Sequence, residues 1–224
     1  MSTTSATPEL LRRLTAEALG TLLLVAGVVG SGIMAQRLTH DVALVLLCNT
    51  LATGALLTVL ILIFAPLSGA QFNPAVTLAL LVRGEVSARR ALLTVIAQVL
   101  GGMAGTLLAH LMFATPVLAT GTTVRTGPAQ WLAEIVATSG LLLTIFGSRA
   151  QGPRVVAPAV GLYIAAAYWF TASTSIANPA VTLARALTPS FAGIRPYDAV
   201  GFVLAQCLAA VAVAPFAKWL FADR

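Results

Sequence analysis

The seven residues Asn-Pro-Ala-Val-Thr-Leu-Ala occur twice in this chain, at 73–79 and at 178–184, and each copy follows a strongly apolar segment. Asn is a favoured helix N-cap, and Pro fits the first helical position because its missing N–H has no intrahelical partner there. Each copy therefore predicts the start of a short helix. These helices end near Arg83 and Ala186, and about ten residues at ~1.5 Å each cross only half of a bilayer.

The rest of the chain is too apolar for a soluble domain. The residues AVILMFWYC make up 58% of its 224 positions and charged residues only 9%, which is the composition of an integral membrane protein. Six apolar runs approach the ~20 residues that a membrane-spanning helix needs, at 10–35, 42–66, 88–114, 129–148, 155–173 and 197–222. The polar residues 1–9 are expected to form a disordered tail, not a signal peptide.

The two halves of the chain repeat the same landmarks in the same order. Glu17 and then Gln98 mark the first half, about 10–114, while Glu134 and then Gln206 mark the second, about 129–222. Three spans per half is an odd number, so the second half lies upside down relative to the first, and the two short helices enter from opposite faces. Their N-termini are therefore expected to meet near the midplane.

The two facing helix N-termini predict which solutes a pore between the halves would admit. The N-terminus of each helix carries about half a positive charge, so two facing N-termini repel cations and protons. If the side-chain oxygens of Asn73 and Asn178 cap their own helices, the amide N–H groups remain as donors for a neutral solute.

The basic residues set the expected orientation. Most of them lie on the side of the two termini, and the positive-inside rule then places both termini in the cytoplasm and the protein in the inner (plasma) membrane. The residues on the terminal side are Arg12, Arg13, Arg83, Arg89, Arg90, Arg149, Arg154, Lys218 and Arg224, against Arg37, Arg125, Arg185 and Arg195 opposite. The net charge of +6 records this asymmetry, and no nucleic-acid partner is expected.

The doubled motif, the inverted repeat and the two Ala-Glu pairs at 16–17 and 133–134 resemble the aquaporin, or major intrinsic protein, family over nearly the whole chain. The resemblance implies an all-α fold of six transmembrane helices plus two re-entrant half-helices, with 10–224 as one channel domain. It also implies a homotetramer in the lipid bilayer, with a complete pore for small neutral solutes in each chain. The implied pore motifs are Asn73, Pro74, Ala75, Asn178, Pro179 and Ala180.

In this family the Glu of the Ala-Glu pair braces the unwound backbone before a half-helix, which is the role expected for Glu17 and Glu134. The alternative for an ionisable group inside a span is proton coupling. Gln98 and Gln206 are expected to form hydrogen bonds between helices in support of the same network.

The chain departs from the family at the expected constriction. Most aquaporins have Arg directly after the second Asn-Pro-Ala, and here that position is Val181. Ungapped matching gives Thr53 and Ser175 for two of the other constriction positions. The fifth-span position stays open, because matching the start of that span gives Tyr168 whereas counting back from Asn178 gives Ala166.

Replacing Arg by Val removes fixed donors and a charge, which favours solutes larger than water. Val181 in a short chain resembles the bacterial aquaglyceroporins associated with arsenic resistance, whose implied substrates are arsenite, small polyols such as glycerol and methylated arsenicals. Arg185 lies one helical turn beyond Val181. It either overhangs the outer vestibule or anchors the half-helix end to lipid phosphates or backbone carbonyls.

Other functions find little support in the sequence. No nucleophile with a base, phosphate loop or metal-ligand cluster indicates an enzyme or a cofactor. Cys48 and Cys207 are expected to be packing residues, and His40 and His110 to be non-catalytic. A water-permeable aquaporin of unknown solute range and a secondary transporter built from broken helices remain the alternatives to a channel for hydroxylated solutes.

Overall fold

The computed structural model describes residues 6–222. In chain order the helices are α1 Ala6–Leu38, α2 Val42–Ser68, α3 Pro74–Val82, α4 Ala88–Met112, α5 Pro128–Ser148, α6 Pro153–Phe170, α7 Pro179–Arg185 and α8 Pro196–Leu220, with one 3-10 turn at Arg149–Gln151. Six of these are long and two are short, as the sequence predicts. The predicted tail is too long, because residues 6–9 belong to α1; residues 1–5 lie outside the described part.

Local side-chain chemistry starts and stops these helices. Oδ1 of Asn73 accepts a hydrogen bond from Ala75 N at 2.9 Å, and Oδ1 of Asn178 accepts one from Ala180 N at 3.0 Å, so each Asn caps its own half-helix. Gly69 ends α2 in the left-handed region, at φ +94°, a conformation that costs glycine little.

The helix contacts of the two halves mirror each other. In the first half α1 packs on α2 and α4, and in the second half α5 packs on α6 and α8. Each half-helix also packs on the last long helix of the opposite half, α3 on α8 and α7 on α4, while α2 meets α6 across the centre. The halves are therefore interlocked through their half-helices.

Glycines permit two close helix crossings. A Cβ added to Gly101 would lie 2.2 Å from the Ala18 carbonyl oxygen, so α4 approaches the backbone of α1 there. A Cβ on Gly161 would lie 2.5 Å from the Gly54 carbonyl oxygen. Small residues allow this backbone-to-backbone approach in membrane helices, and the second crossing draws α2 and α6 together beside the central cavity.

Five of the described helices are long and apolar enough to cross a membrane: Glu9–Leu38, Val42–Ser68, Ala88–Met112, Pro128–Gln151 and Pro196–Leu220. The sixth long helix, α6, has 18 residues. It begins with Pro153 and Arg154 and contains Pro158.

Candidate functional site

A cavity of about 300 Å³ lies between the two halves, and both cap residues of the half-helices line it. Most of its wall is apolar. The polar and charged side chains on the wall are Thr53, Gln71, Asn73, Arg149, Tyr168, Ser175, Asn178 and Arg185. We call the two ends the Arg149 end, on the side of the chain termini, and the Arg185 end, on the opposite side.

At the centre, the two cap residues hold the halves together. Nδ2 of Asn73 donates to the Ala177 carbonyl oxygen at 2.8 Å, and Nδ2 of Asn178 donates to the Phe72 carbonyl oxygen at 2.8 Å. Each amide nitrogen carries two N–H groups, so one is used between the halves and one remains. The sequence expectation of two free donors per Asn is therefore reduced to one.

The Pro and Ala of each Asn-Pro-Ala do not line the cavity. Ala75 and Ala180 are fully buried, and Pro74 and Pro179 are buried at the first helical positions. Only Asn73 and Asn178 of the six motif residues reach the cavity wall. The other four build the half-helix ends from behind.

The segments that lead into the half-helices adopt matching strained conformations. Ala70 and Phe72 have φ of 49°, and Ser175 and Ala177, which hold the same places before the second Asn, have φ of 50° and 49°. A left-handed backbone at a non-glycine residue costs roughly 1–2 kcal/mol. Such a backbone persists only where its surroundings hold it.

Glu17 and Glu134 hold these strained segments. Glu17 accepts hydrogen bonds from Gln71 N at 3.0 Å and Phe72 N at 2.7 Å, together with Ser68 Oγ at 2.5 Å and Gln98 Nε2 at 2.8 Å. Burial leaves Glu17 only 2% exposed. Its carboxylate is therefore fully occupied by protein donors.

Glu134 repeats this arrangement in the second half and is 0% exposed. It accepts from Ile176 N at 2.9 Å, Ala177 N at 2.8 Å and Gln206 Nε2 at 2.6 Å. Neither glutamate lines the cavity. This placement, behind the wall and among backbone donors, is that of a brace.

The fifth residue of the repeated heptad completes each network. Thr77 Oγ1 lies 3.1 Å from Gln98 Nε2, and Thr182 Oγ1 lies 2.9 Å from Gln206 Nε2. Sequence reasoning missed these two threonines, although their recurrence in both heptads was an available signal.

The Arg185 end brings together Thr53, Tyr168, Ser175 and Val181. The Tyr168 hydroxyl donates to Thr53 Oγ1 at 3.3 Å, which links α6 to α2. Ala166 is exposed on the outside of α6 and does not line the cavity. The alternative that placed Ala166 in the constriction is therefore wrong, because two residues along a helix turn the side chain by about 200°.

Arg185 lies on the cavity wall and is 2% exposed, and its Nε donates to the Ala192 carbonyl oxygen. Burial rules out the contact with lipid phosphates that one sequence interpretation expected, whereas the contact with a backbone carbonyl is present.

A second arginine, Arg125, is also buried at this end. In the sequence it is recognisable only as a charge in a loop. Burial lowers the pKa of Arg125 to about 9, with repulsion from Arg185 adding to the shift, so Arg125 is charged at neutral pH.

At the Arg149 end, an ion-pair cluster flanks the cavity. Arg149 Nη1 lies 2.7 Å from Glu85 Oε2, and Arg83 Nε lies 2.6 Å from Glu85 Oε1. Partial burial acts to raise the pKa of Glu85, but the hydrogen bonds and charges of Arg149 and Arg83 outweigh it and hold that pKa below the ordinary value of a glutamate. Both arginines also lie over the Phe146 ring, at 4.4 Å for Arg83 and 5.5 Å for Arg149.

Comparison with known proteins identifies the family that has this architecture. The family model described as "Major intrinsic protein" matches residues 4–155. The chain belongs to this family. Its members are membrane channels for small solutes, and this protein is a channel of that kind.

Individual relatives of this major intrinsic protein agree with that assignment. The chain is 58% identical over 212 residues to aquaglyceroporin AqpS of Rhizobium meliloti (strain 1021), covering 95% of this chain and 91% of the relative. It is 35% identical over 193 residues to probable aquaporin TIP1-1 of Oryza sativa subsp. japonica, covering 80% and 76%.

The X-ray structure of the aquaglyceroporin from Plasmodium falciparum superimposes on this channel with a TM-score of 0.77, covering 95% of this chain and 98% of that one. At 21% identity this likeness concerns the fold alone. The predicted fold class, six transmembrane helices with two re-entrant half-helices in an inverted repeat, is confirmed.

Proposed function

We propose that the protein is a passive channel for small uncharged hydroxylated solutes of the arsenite and glycerol class, with some water. The observation that carries the proposal is the wall at the Arg185 end, where Val181 takes the place of an arginine beside the Tyr168–Thr53 pair. A Val side chain offers no hydrogen-bond donor and no charge, so the wall at Val181 does not favour water over larger solutes.

The chemistry of the cavity fits a molecule with a polar face and an apolar face. One remaining N–H on each of Asn73 and Asn178 offers a donor to hydroxyl oxygens, while apolar side chains, leucine, isoleucine and valine among them, cover most of the wall. Arsenite is an uncharged trihydroxy molecule at neutral pH, and glycerol also carries three hydroxyls. Methylated arsenicals add the apolar face that such a wall accommodates.

Charge selectivity follows from the half-helices. The N-termini of α3 and α7 meet where Asn73 and Asn178 face each other, and their combined positive dipole ends disfavour cations and protons. Under this proposal Glu17 and Glu134 brace the strained segments and take no part in proton transport, since protein donors occupy both side chains and neither lines the cavity.

The cross-bonds of the two Asn residues also argue for a channel over an alternating-access carrier. A rocking motion of one half against the other would break both 2.8 Å hydrogen bonds at once. Loss of two buried hydrogen bonds of about 1 kcal/mol each, with their groups left unpaired, adds to the barrier for such a motion.

The remaining assignments belong to the same proposal. Residues 10–224 form one channel domain with repeats about 10–114 and 129–222, both termini lie in the cytoplasm, and the Arg185 end opens outward. The protein forms a homotetramer in the inner membrane, with one pore per chain.

Stopped-flow light scattering on proteoliposomes tests the function directly. We expect glycerol flux well above that of empty liposomes, linear in the glycerol gradient and indifferent to a pH gradient, together with arsenite entry measured by elemental analysis. Water flux without glycerol or arsenite flux would favour the water-channel alternative. Saturable flux driven by a proton gradient would favour the transporter and refute the proposal.

A further inference from the structure

Arg185 is a buried cation on the cavity wall without an anionic partner. It is 2% exposed, and among the ion pairs formed within residues 9–222 none includes it. An unpaired charge removed from water is costly, and ionisable groups inside membrane proteins face cavities and mark solute paths. Its position therefore calls for a partner that enters the cavity.

The hydrogen bonds of Arg185 leave its terminal nitrogens available. Nε donates to Ala192 O, and neither Nη forms a hydrogen bond with the described part of the chain. Arg125 is the opposite case: its side chain donates to the carbonyl oxygens of Gly193, Ser173 and Phe191 and to Thr174 Oγ1. The nitrogens of Arg125 thus donate their hydrogen bonds to protein acceptors, whereas the terminal nitrogens of Arg185 do not.

An independent observation comes from Ser175. Its side-chain oxygen is buried without a hydrogen-bond partner among residues 6–222, the residue is 2% exposed, and it lines the same cavity. A buried hydroxyl without a partner costs about 1–3 kcal/mol. Two unsatisfied polar groups on one cavity wall indicate a place where a polar solute supplies the missing bonds.

We propose that Arg185 is a specificity-determining residue that binds acceptor oxygens of the passing solute, with the Ser175 hydroxyl as a second contact. Arg185 lies four residues beyond Val181 on α7, about 6 Å farther along the helix axis. The cationic donor absent at Val181 is in this way supplied one turn away, where it does not narrow the pore at Val181. This inference rests on the proposed function and names the group that recognises the solute.

The ligand class follows from the donors. A guanidinium presents two parallel N–H groups that suit two neighbouring oxygens, such as the hydroxyls of a polyol or of an uncharged oxyacid. Each hydrogen bond formed here offsets part of the free energy that the solute loses when it sheds its hydration water on entry. Arg185 therefore lowers the barrier for hydroxylated solutes more than for water.

The test compares glycerol and water permeability in proteoliposomes for Arg185→Met, Arg185→Lys and Ser175→Ala. Met keeps the length and packing of Arg without its donors, and we expect the glycerol-to-water ratio to fall about tenfold, the equivalent of one charge-assisted hydrogen bond. Lys keeps the charge and a donor, so it should restore part of the ratio. Ser175→Ala should lower the ratio about threefold, as expected for a neutral hydrogen bond.

Arg125→Met is the matched control, because it removes the neighbouring buried cation, whose three nitrogens each donate to protein atoms. It should lower glycerol and water flux in the same proportion, through fewer folded channels, and leave their ratio unchanged. If Arg185→Met folds poorly, Arg185→Lys and Ser175→Ala carry the test by themselves.

The outcomes separate the two proposals. Wild-type protein without glycerol flux overturns the proposed function. Wild-type flux together with an unchanged or increased glycerol-to-water ratio in Arg185→Met overturns the role of Arg185 alone. A fall in the ratio in Arg185→Met, with the ratio intact in Arg125→Met, supports it.

Discussion

Replacing Glu134 by Gln tests whether this buried carboxylate braces the re-entrant segment or carries protons. Its two oxygens accept from two consecutive backbone N–H groups, of Ile176 and Ala177, at 2.9 and 2.8 Å. Gln has nearly the same shape but only one oxygen. Whichever way its amide is turned, its NH₂ group faces one of these N–H donors, and that donor is left without an acceptor.

The expected cost can be added up from these contacts. One buried N–H without a partner costs about 1–3 kcal/mol, and the bond that remains changes from charge-assisted to neutral, losing about 1 kcal/mol more. The third partner, Gln206, limits further loss because its amide can turn and offer its oxygen. The total is about 2–4 kcal/mol, or roughly 4–16 °C in the unfolding temperature of a chain of this length.

Thermal unfolding of the purified protein in detergent measures the effect, and vesicle swelling shows whether the surviving channels still conduct. We expect a lower unfolding temperature, lower flux and no change in the response to a pH gradient. A wild-type unfolding temperature combined with an altered response to the gradient would refute the brace and point to a titrating group. Thr138→Val, one turn along α5, is the matched control for mutating this helix.

Four further substitutions have clear expectations. Thr138→Val removes a buried hydroxyl that has no hydrogen-bond partner in the described part of the chain and should raise the unfolding temperature slightly, by the equivalent of about 1 kcal/mol. Val181→Arg should lower glycerol and arsenite flux relative to water in vesicle swelling, because a long cationic side chain then stands in the constriction; equal ratios in mutant and wild type would contradict this. Gly101→Ala should cost about 1–3 kcal/mol of unfolding free energy, since its Cβ would lie 2.2 Å from Ala18 O. Gly102→Ala, at 3.3 Å from Ala180 O, should cost less in the same thermal assay.

Local signals explain why the half-helices could be predicted from the sequence. Asn as cap and Pro at the first helical position act on their own backbone, within one turn, so Asn73 and Asn178 mark their helices regardless of the tertiary fold. Hydropathy likewise marks the long spans, because the bilayer imposes its length on each helix separately.

The constriction was harder to predict because it depends on the loop that separates α6 from α7. Thr174, Ser175 and Ala177 adopt positive φ, and such turns change direction without a fixed rise per residue. Counting back from Asn178 therefore led to Ala166, whereas matching within the helix led to Tyr168. Tyr168 is the residue on the cavity wall.

Contacts between residues that are distant in the chain leave no signal in the local sequence. Arg125 takes its acceptors from residues 173–193, and nothing around position 125 indicates this. The same holds for the bond of each Asn amide to the opposite half, which removed one of the donors that the sequence suggested for the solute.

The crossed bonds at the centre also set the order in which the molecule is completed. The Asn73 amide and the Phe72 carbonyl find their partners only at Ala177 and Asn178, more than a hundred positions later in synthesis. Half-helix α3 also packs on α8, which is synthesised after the seven other helices of the described chain. A chain whose α8 has not yet been inserted therefore has its other long helices, but it lacks the contact of α3 with α8 that holds the first half-helix beside the cavity.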